Sequence, residues 1–243
     1  MIEVEIDKGQ SFKGYTLIEG FPGIGLVGPM TISYIIDKLQ MKNVGYLHSK
    51  DFPPLVSVHK GQAMHPIRVY CSDKDKIVTI FAEFAITLDL VSELSDVIYK
   101  FIQDNSIKKI CSIGGMPAQG EDKRPFAVST SGAAKALQNA GFRPIMEGVA
   151  TGVSALLLIK SADDGLEDIS IMVPVEQNII DPAYAEIAIE GLNKLLNLKI
   201  DVEELDKEAK AVEAKIKDLI NKHKETNESY KKAIDSTGPS MYA

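Results

Sequence analysis

The stretch Gly20-Phe21-Pro22-Gly23-Ile24-Gly25-Leu26-Val27-Gly28 joins an apolar strand, Tyr15-Thr16-Leu17-Ile18, to an apolar segment of helical period, Met30, Ile32, Tyr34, Ile35, Ile36 and Leu39. Gly23 to Gly28 reads as G-x-G-x-x-G, the fingerprint of dinucleotide-binding turns. A dinucleotide fold places the first glycine directly after the strand and an acid about 20 residues further on. Asp51 stands about where that acid belongs, but Gly20-Phe21-Pro22 separates the strand from Gly23 and Pro22 stiffens the longer loop. Gly23, Gly25 and Gly28 are therefore candidates for cofactor binding, and the competing reading is a structural turn that lets strand and helix approach closely.

Outward from this turn, strands and helices alternate. Residues 1–14 are polar with some alternation, as in an edge strand. Strand 15–19 leads through the glycines to helix 29–40, whose Pro29 suits a first helical turn, and then to strand 44–47. Leu55 to His59, Ile67 to Cys71 and Ile77 to Phe81 are short apolar runs separated by turn residues, which predicts antiparallel hairpins. Thr87 caps a helix reaching Asn105, with Leu90, Val91, Leu94, Val97, Ile98, Phe101 and Ile102 on one face. Strand 109–113 ends in Gly114-Gly115, and a polar loop covers 114–126. Strand 126–129, helix 132–140 and strand 144–147 follow. The glycine-bounded turn Gly148 to Gly152 leads into the apolar segment 153–160, then strand 168–173 and helix 182–197. Asp181-Pro182 is an N-cap and first-turn pair for that helix. The alternation predicts an α/β fold with a largely parallel, covered sheet and some antiparallel additions.

The last part of the chain has another character. Asp201 with Glu204 resembles a capping box. Val202, Leu205, Ala209, Val212, Ile216, Leu219 and His223 follow at alternating a and d spacing. Acid-first pairs such as Glu203–Lys207 and Glu213–Lys217 support a helix. About three heptads is short for a coiled coil, so helix 201–224 either joins copies of the chain or lies on its own domain. Beyond residue 224 the composition is that of a polar, flexible tail, yet it ends in Met241-Tyr242-Ala243. Two apolar side chains at the end of such a tail have no core to join. The organisation expected is an α/β domain over 1–200, a C-terminal helix over 201–224, and a tail over 225–243.

Composition narrows the functional classes. Of 243 residues, 45% are hydrophobic and 25% charged, a normal globular balance. A net charge of −7 argues against a general nucleic-acid binder. No apolar run is long enough to span a bilayer, and the acidic N-terminus Met1-Ile2-Glu3-Val4-Glu5 lacks a signal-peptide core. Cys71 and Cys111 stand alone, which fits a reduced, cytoplasmic setting. Both read as buried small hydrophobes, and no G-x-S-x-G is present. Ser129-Thr130-Ser131-Gly132 precedes a helix and reads as its N-cap, with anion binding as the rival. His48, His59 and His65 cluster loosely with Asp51, without metal-binding spacing. The acids Glu83, Glu121, Asp122 and Glu147 could converge at strand ends, and the competing default is that they are solvated loop residues. Neither a cofactor nor a metal is expected.

The glycine stretch, Phe52-Pro53-Pro54, Ile113-Gly114-Gly115-Met116, and Glu147-Gly148-Val149-Ala150-Thr151-Gly152 to Leu156 together resemble the archaeal form of the proteasome assembly chaperone family. The resemblance covers most of residues 15–200. It implies a three-layer α/β/α fold similar to nucleoside phosphorylases, without an established enzymatic activity, and a partner: the α subunits of the 20S proteasome. Some members carry a C-terminal hydrophobic–Tyr–any-residue motif, matched here by Met241, Tyr242 and Ala243. The resemblance implies that this tail inserts between neighbouring α subunits. The Ala243 carboxylate would pair with a pocket lysine, Tyr242 would pack at the rim, and Met241 would fill an apolar site. No G-x-x-x-x-G-K-[ST] is present, so gate opening by such a protein would be ATP-independent. A homo-oligomer, held through helix 201–224, would present several tails at once. The alternative is a nucleotide- or nucleoside-binding enzyme using the turn 20–28 and the loop 114–125.

Overall fold

The computed structural model describes residues 1–205 except 60, 119, 121, 177, 178 and 204. Most of the helix expected over 201–224 and all of the tail expected over 225–243, with Met241-Tyr242-Ala243, lie outside the described residues.

Eleven strands and five α-helices are present among the described residues: β1 (Glu3–Ile6), β2 (Thr16–Glu19), α1 (Val27–Lys38), β3 (Lys42–His48), β4 (Ser57–His59), β5 (Gln62–Met64), β6 (Ile67–Ser72), β7 (Ile77–Ala82), α2 (Leu88–Asp104), β8 (Lys109–Pro117), β9 (Phe126–Ser129), α3 (Ala134–Asn139), β10 (Arg143–Pro144), α4 (Val153–Asp164), β11 (Glu167–Val175) and α5 (Pro182–Leu196). Nine strands form one sheet in the order β1-β3-β6-β7-β2-β8-β11-β9-β10, and β4 with β5 forms a separate hairpin.

The sheet is mixed, which corrects the expectation of a mostly parallel one. Its centre, β7-β2-β8-β11, is parallel. The flank β1-β3-β6-β7 is antiparallel throughout, and β9 runs antiparallel to β11. The cause is connection length. A short turn between β6 and β7 can only reverse the chain, whereas parallel neighbours need a crossover of a dozen residues or more. Of the apolar runs read as hairpins, those at 67–71 and 77–81 thus extend the main sheet as β6 and β7, whereas the run at 55–59 lies in the separate β4–β5 hairpin. One edge is β1, as expected of the polar N-terminal segment. The other is the two-residue β10, whose Pro144 lacks the N–H that would continue pairing. The strand expected over 144–147 is therefore only Arg143–Pro144.

Helices cover both faces, giving three layers. Helices α1 and α5 pack together on one face, and α2 and α4 on the other. Strand β2 is buried on both sides, so Ile18 joins the α1/α5 core while Leu17 joins the α2/α4 core. Period-two alternation of this kind produces near-continuous apolar strands in covered sheets. Asp181 caps α5 by accepting a bond from the Ala183 amide at 2.9 Å, with Pro182 at the first helical position. The apolar segment 153–160 lies within α4. Helix α3 is shorter than the expected 132–140, because Gly132 at φ 66° holds the chain outside helical geometry.

The beginning of the C-terminal segment rests on the body. The Tyr34 hydroxyl donates to the Asp201 carbonyl at 2.8 Å, Asp201 accepts from the Glu203 amide at 3.0 Å, and Leu205 is buried in the α1/α5 core.

A buried ion pair ties the antiparallel flank. The Arg68 guanidinium on β6 lies 3.1 Å from Glu83, just past β7, and both side chains are almost completely buried. Arg68 also donates to the Tyr70 hydroxyl at 2.8 Å and the His65 carbonyl at 2.9 Å. Removing one partner leaves a charge buried without its counter-ion, a loss of about 3–5 kcal/mol. Arg68→Leu is expected to lower unfolding free energy by that order in a urea titration; a change below about 1 kcal/mol would mean the pair behaves as a surface one.

Candidate functional site

The carboxyl ends of the parallel strands are where α/β sheets usually place a ligand. Here that end carries the glycine turn, the end of β8, the loop after it and the start of α5.

The glycine turn is packed by the chain's own backbone. A Cβ on Gly20 would stand 2.6 Å from the Gly28 Cα, and one on Gly28 would stand 2.8 Å from the Gly20 Cα. A Cβ on Gly115, in β8, would stand 2.2 Å from the Ile24 carbonyl oxygen. Gly25 takes φ 67°, and its open side is filled by Val175 at the end of β11. Gly23 meets only its own loop. The Leu26 amide donates to the Gly23 carbonyl at 3.1 Å, and Leu26 itself is left-handed at φ 52° before α1 begins. The glycines thus let three backbone segments touch. The space those absent side chains free is occupied at Gly20, Gly28 and Gly115 by the backbone of the chain and at Gly25 by Val175.

Residues 114–117 belong to β8, not to a loop, and pair with β11 as far as Pro117 and Val175. Gly115 removes a side chain beneath the turn, and Gly114 removes one beside Met172 of β11. The remaining loop borders a cavity of about 290 Å3, lined among others by Ala118, Asp122, Lys123, Glu176, Asp181 and Tyr184. That size is at the lower limit for small-molecule sites, and three carboxylates among those residues oppose an anionic ligand. Asp122 is held at a pKa of about 2, chiefly by the Arg124 guanidinium hydrogen-bonded to it. Arg124 lies 2.7 Å from Asp122 and Arg143 lies 3.6 Å from it, so both arginines are already engaged.

The other sequence candidates separate. Burial pushes the Cys111 thiol up to about 12 and raises that of Cys71, which leaves neither activated. Ser129-Thr130-Ser131-Gly132 does not cap α3. The Ser129 and Ser131 hydroxyls pair at 2.9 Å, and Thr130 donates to the Leu166 carbonyl and accepts from the Asp168 amide. These hydroxyls fasten β9 to the start of β11, and the helix begins afterwards, at Ala134. Asp51 receives a bond from the chain's amino terminus at 3.0 Å, while the rings of His48 and His65 lie with centres 6.4 Å apart. His48 instead approaches Glu3 and Glu5 on neighbouring β1, an exposed group at the sheet edge, and His65 stacks on Tyr46 with ring centres 3.8 Å apart. Glu83 is paired with Arg68, Asp122 with Arg124, and Glu147 is exposed on its own loop, so these acids do not converge. Glu121 lies outside the described residues.

Two groups escaped the sequence reading: Glu19, directly before Gly20, and Asp168, inside β11. Both are completely buried. The available signal was an acid within a segment otherwise apolar on both faces.

With this geometry in place, comparison with known proteins is informative. The PAC2 family model matches residues 17–220. An uncharacterised protein of Methanocaldococcus jannaschii is 33% identical over 214 residues, covering 87% of this chain and 88% of that one. Among solved structures, Pyrococcus furiosus PbaA, described as an archaeal homolog of proteasome-assembly chaperone, is 26% identical. It superposes with a TM-score of 0.81 over 95% of this chain and 100% of its own. A Thermoplasma acidophilum protein of unknown function is 27% identical with a TM-score of 0.85, covering 93% of each chain. Pyrococcus furiosus PbaB, described as an archaeal proteasome activator, shares the fold at 21% identity and a TM-score of 0.72, over 90% of this chain and 98% of its own.

The glycine packing yields a direct expectation. Gly28→Ala places a methyl group against Gly20 backbone, and overpacking of this kind costs about 1–3 kcal/mol, more than the helix-propensity gain of about 1 kcal/mol. The variant's thermal midpoint is expected to fall. In the same thermal-shift assay, NAD, ATP and inosine are expected to leave the wild-type midpoint unmoved; a saturable rise with any of them would restore the turn as a ligand site.

Proposed function

This chain belongs to the PAC2 family, and from that premise we propose that it binds the α ring of the 20S proteasome, as an assembly chaperone, an ATP-independent activator, or both. The observation that carries the proposal is the whole-chain likeness to PbaA, a homolog of proteasome-assembly chaperone. The absence of an ATP-binding motif in the sequence agrees with it.

In this proposal the body is a platform and the contact is made by Met241-Tyr242-Ala243. A terminal carboxylate suits a basic or backbone-nest pocket. A tyrosine beside it offers an apolar body with a polar tip, and Met adds an adaptable apolar anchor. One such tail binds weakly, since docking must order a flexible segment. Several tails on one oligomer raise the effective concentration, and avidity gains of about 10²–10⁴ are ordinary. Helix 201–224 is the proposed element that joins the copies, and the cytoplasm the proposed setting. No helix of the described residues is long and apolar enough to cross a membrane.

The rival, a nucleotide- or nucleoside-binding enzyme at Gly23, Gly25 and Gly28, has less support. Close backbone contacts take up the space around the turn, and the neighbouring cavity is rich in carboxylates.

Deleting Met241 to Ala243, or making Tyr242→Ala, is expected to reduce binding to 20S particles by at least about tenfold in biolayer interferometry, the loss of roughly 1.4 kcal/mol. The circular dichroism spectrum and thermal midpoint are expected to stay unchanged. Unchanged affinity of the truncated chain would remove the tail from the mechanism while leaving open binding through the body.

A further inference from the structure

Beneath α4 the central sheet carries polar side chains where apolar ones are the rule. Glu19 ends β2 opposite Ser112 of β8, and Ser112 is opposite Ser170 of β11. Asp168 precedes Ser170 by two residues and so shares its face. Helix α4, which packs on this face, brings Ser161 and Ser154. The side chains of Glu19, Ser112, Ser161 and Asp168 are entirely buried, at 0% exposure. Both oxygens of each carboxyl, and the hydroxyls of Ser112 and Ser161, complete no hydrogen bond of good geometry with a protein group.

The surrounding charges are engaged elsewhere. On β8 and β11, Lys109 pairs with Glu167 at 3.1 Å; on α4 and α2, Lys160 pairs with Asp96 at 2.7 Å. Beyond β7, Arg68 holds Glu83. On α2, Tyr99 donates to Asp164 at 2.9 Å, and its phenol, pushed up to about 12, stays neutral. Asp163 is exposed on the far side of α4. Cys111 belongs to the core on the opposite face of the sheet, with its thiol protonated. The two carboxyls, on strands that flank β8, therefore lie in a buried layer with no cation of the described residues directed at them. Like-charged carboxylates at such a site cannot both ionise without great cost.

We propose that Glu19 and Asp168 are held as carboxylic acids, sharing protons with each other and with the Ser112 and Ser161 hydroxyls, and that this seam is a pH-sensitive clasp between the central sheet and α4. Protonation turns each carboxyl into a donor as well as an acceptor, which gives the serine hydroxyls and the second carboxyl something to pair with. Deprotonation would introduce repelling charges at the contact that holds α4.

Burial is the main cause that raises the titration of both acids. For Glu19 the Ser154 and Ser112 hydroxyls and the Phe21 backbone oppose it; for Asp168 the Glu19 charge adds to it and carries the group to about 8. In the unfolded chain an aspartate titrates at about 4. Between these values the folded state holds more protons than the unfolded one. The contribution of Asp168 to stability is therefore fully present below about pH 4, declines as pH rises, and is lost above about 8. The decline is at most about tenfold in the folding equilibrium per pH unit for each such group.

The test is urea unfolding of the full chain and of Glu19→Gln and Asp168→Asn across pH 5 to 9, with infrared spectra of the wild type at pH 7. A protonated-carboxyl stretch is expected at pH 7, together with a wild-type decline in stability that Glu19→Gln and Asp168→Asn each make shallower. Absence of the stretch, or an unchanged decline in both variants, would overturn the proposal. The infrared measurement decides even if a variant fails to fold. Calcium is expected to leave the wild-type midpoint unmoved; a calcium-dependent rise lost in Asp168→Asn would assign the seam to a cation and overturn proton sharing.

Discussion

Backbone lies directly on backbone at Gly20 and Gly28, and the rest of the molecule depends on that contact. The chain must leave the central strand β2 and begin α1 within a few residues, while α1 stays close to the sheet. Glycine at 20 and 28 removes the Cβ atoms that would stand 2.6–2.8 Å from the opposing backbone. Gly115 does the same beneath the Ile24 carbonyl, which brings β8 under the turn. Gly25 adopts φ 67° against Val175 and so brings in the end of β11. One loop thereby sets the spacing of β2, β8, β11 and α1, and the α1/α5 layer is built on that arrangement.

This explains why a nucleotide fingerprint occurs here without the geometry that such a fingerprint usually serves. Spacing of glycines reports only that side chains are missing. It does not report whether a ligand or the chain itself occupies the room. In this turn the chain does, through Gly115, Val175 and the opposed Gly20 and Gly28.

Local chemistry made much of the fold legible. Asp181-Pro182 marks the start of α5, the apolar period from Leu90 to Ile102 marks α2, and Leu17-Ile18 marks a strand covered on both faces. What the sequence did not disclose was non-local. The hairpin strands join the main sheet as an antiparallel flank because β6 is bonded to β3 on its other side, a pairing no local signal encodes. Strand β5, Gln62-Ala63-Met64, has no apolar run to betray it and forms only by pairing with β4. The Ser129–Ser131 segment offered cap-like hydroxyls, but tertiary partners, the Leu166 carbonyl and the Asp168 amide, take the Thr130 side chain. Glu19 and Asp168 were invisible as a pair because their proximity arises only when β2 and β11 flank β8.

The proposed role makes the α/β/α body of this PAC2-family chain a platform for binding the proteasome α ring. In the proposed division of labour, a well-packed body would supply position and a short terminal segment a contact that several copies could make together. The most direct measurement is analytical ultracentrifugation of the fluorescently labelled full chain with purified archaeal 20S particles, and separately with free α subunits. The account predicts that label moves with the particle or with the α subunits, saturably, at micromolar concentration or below. Label that sediments only at the chain's own rate in both mixtures would contradict it.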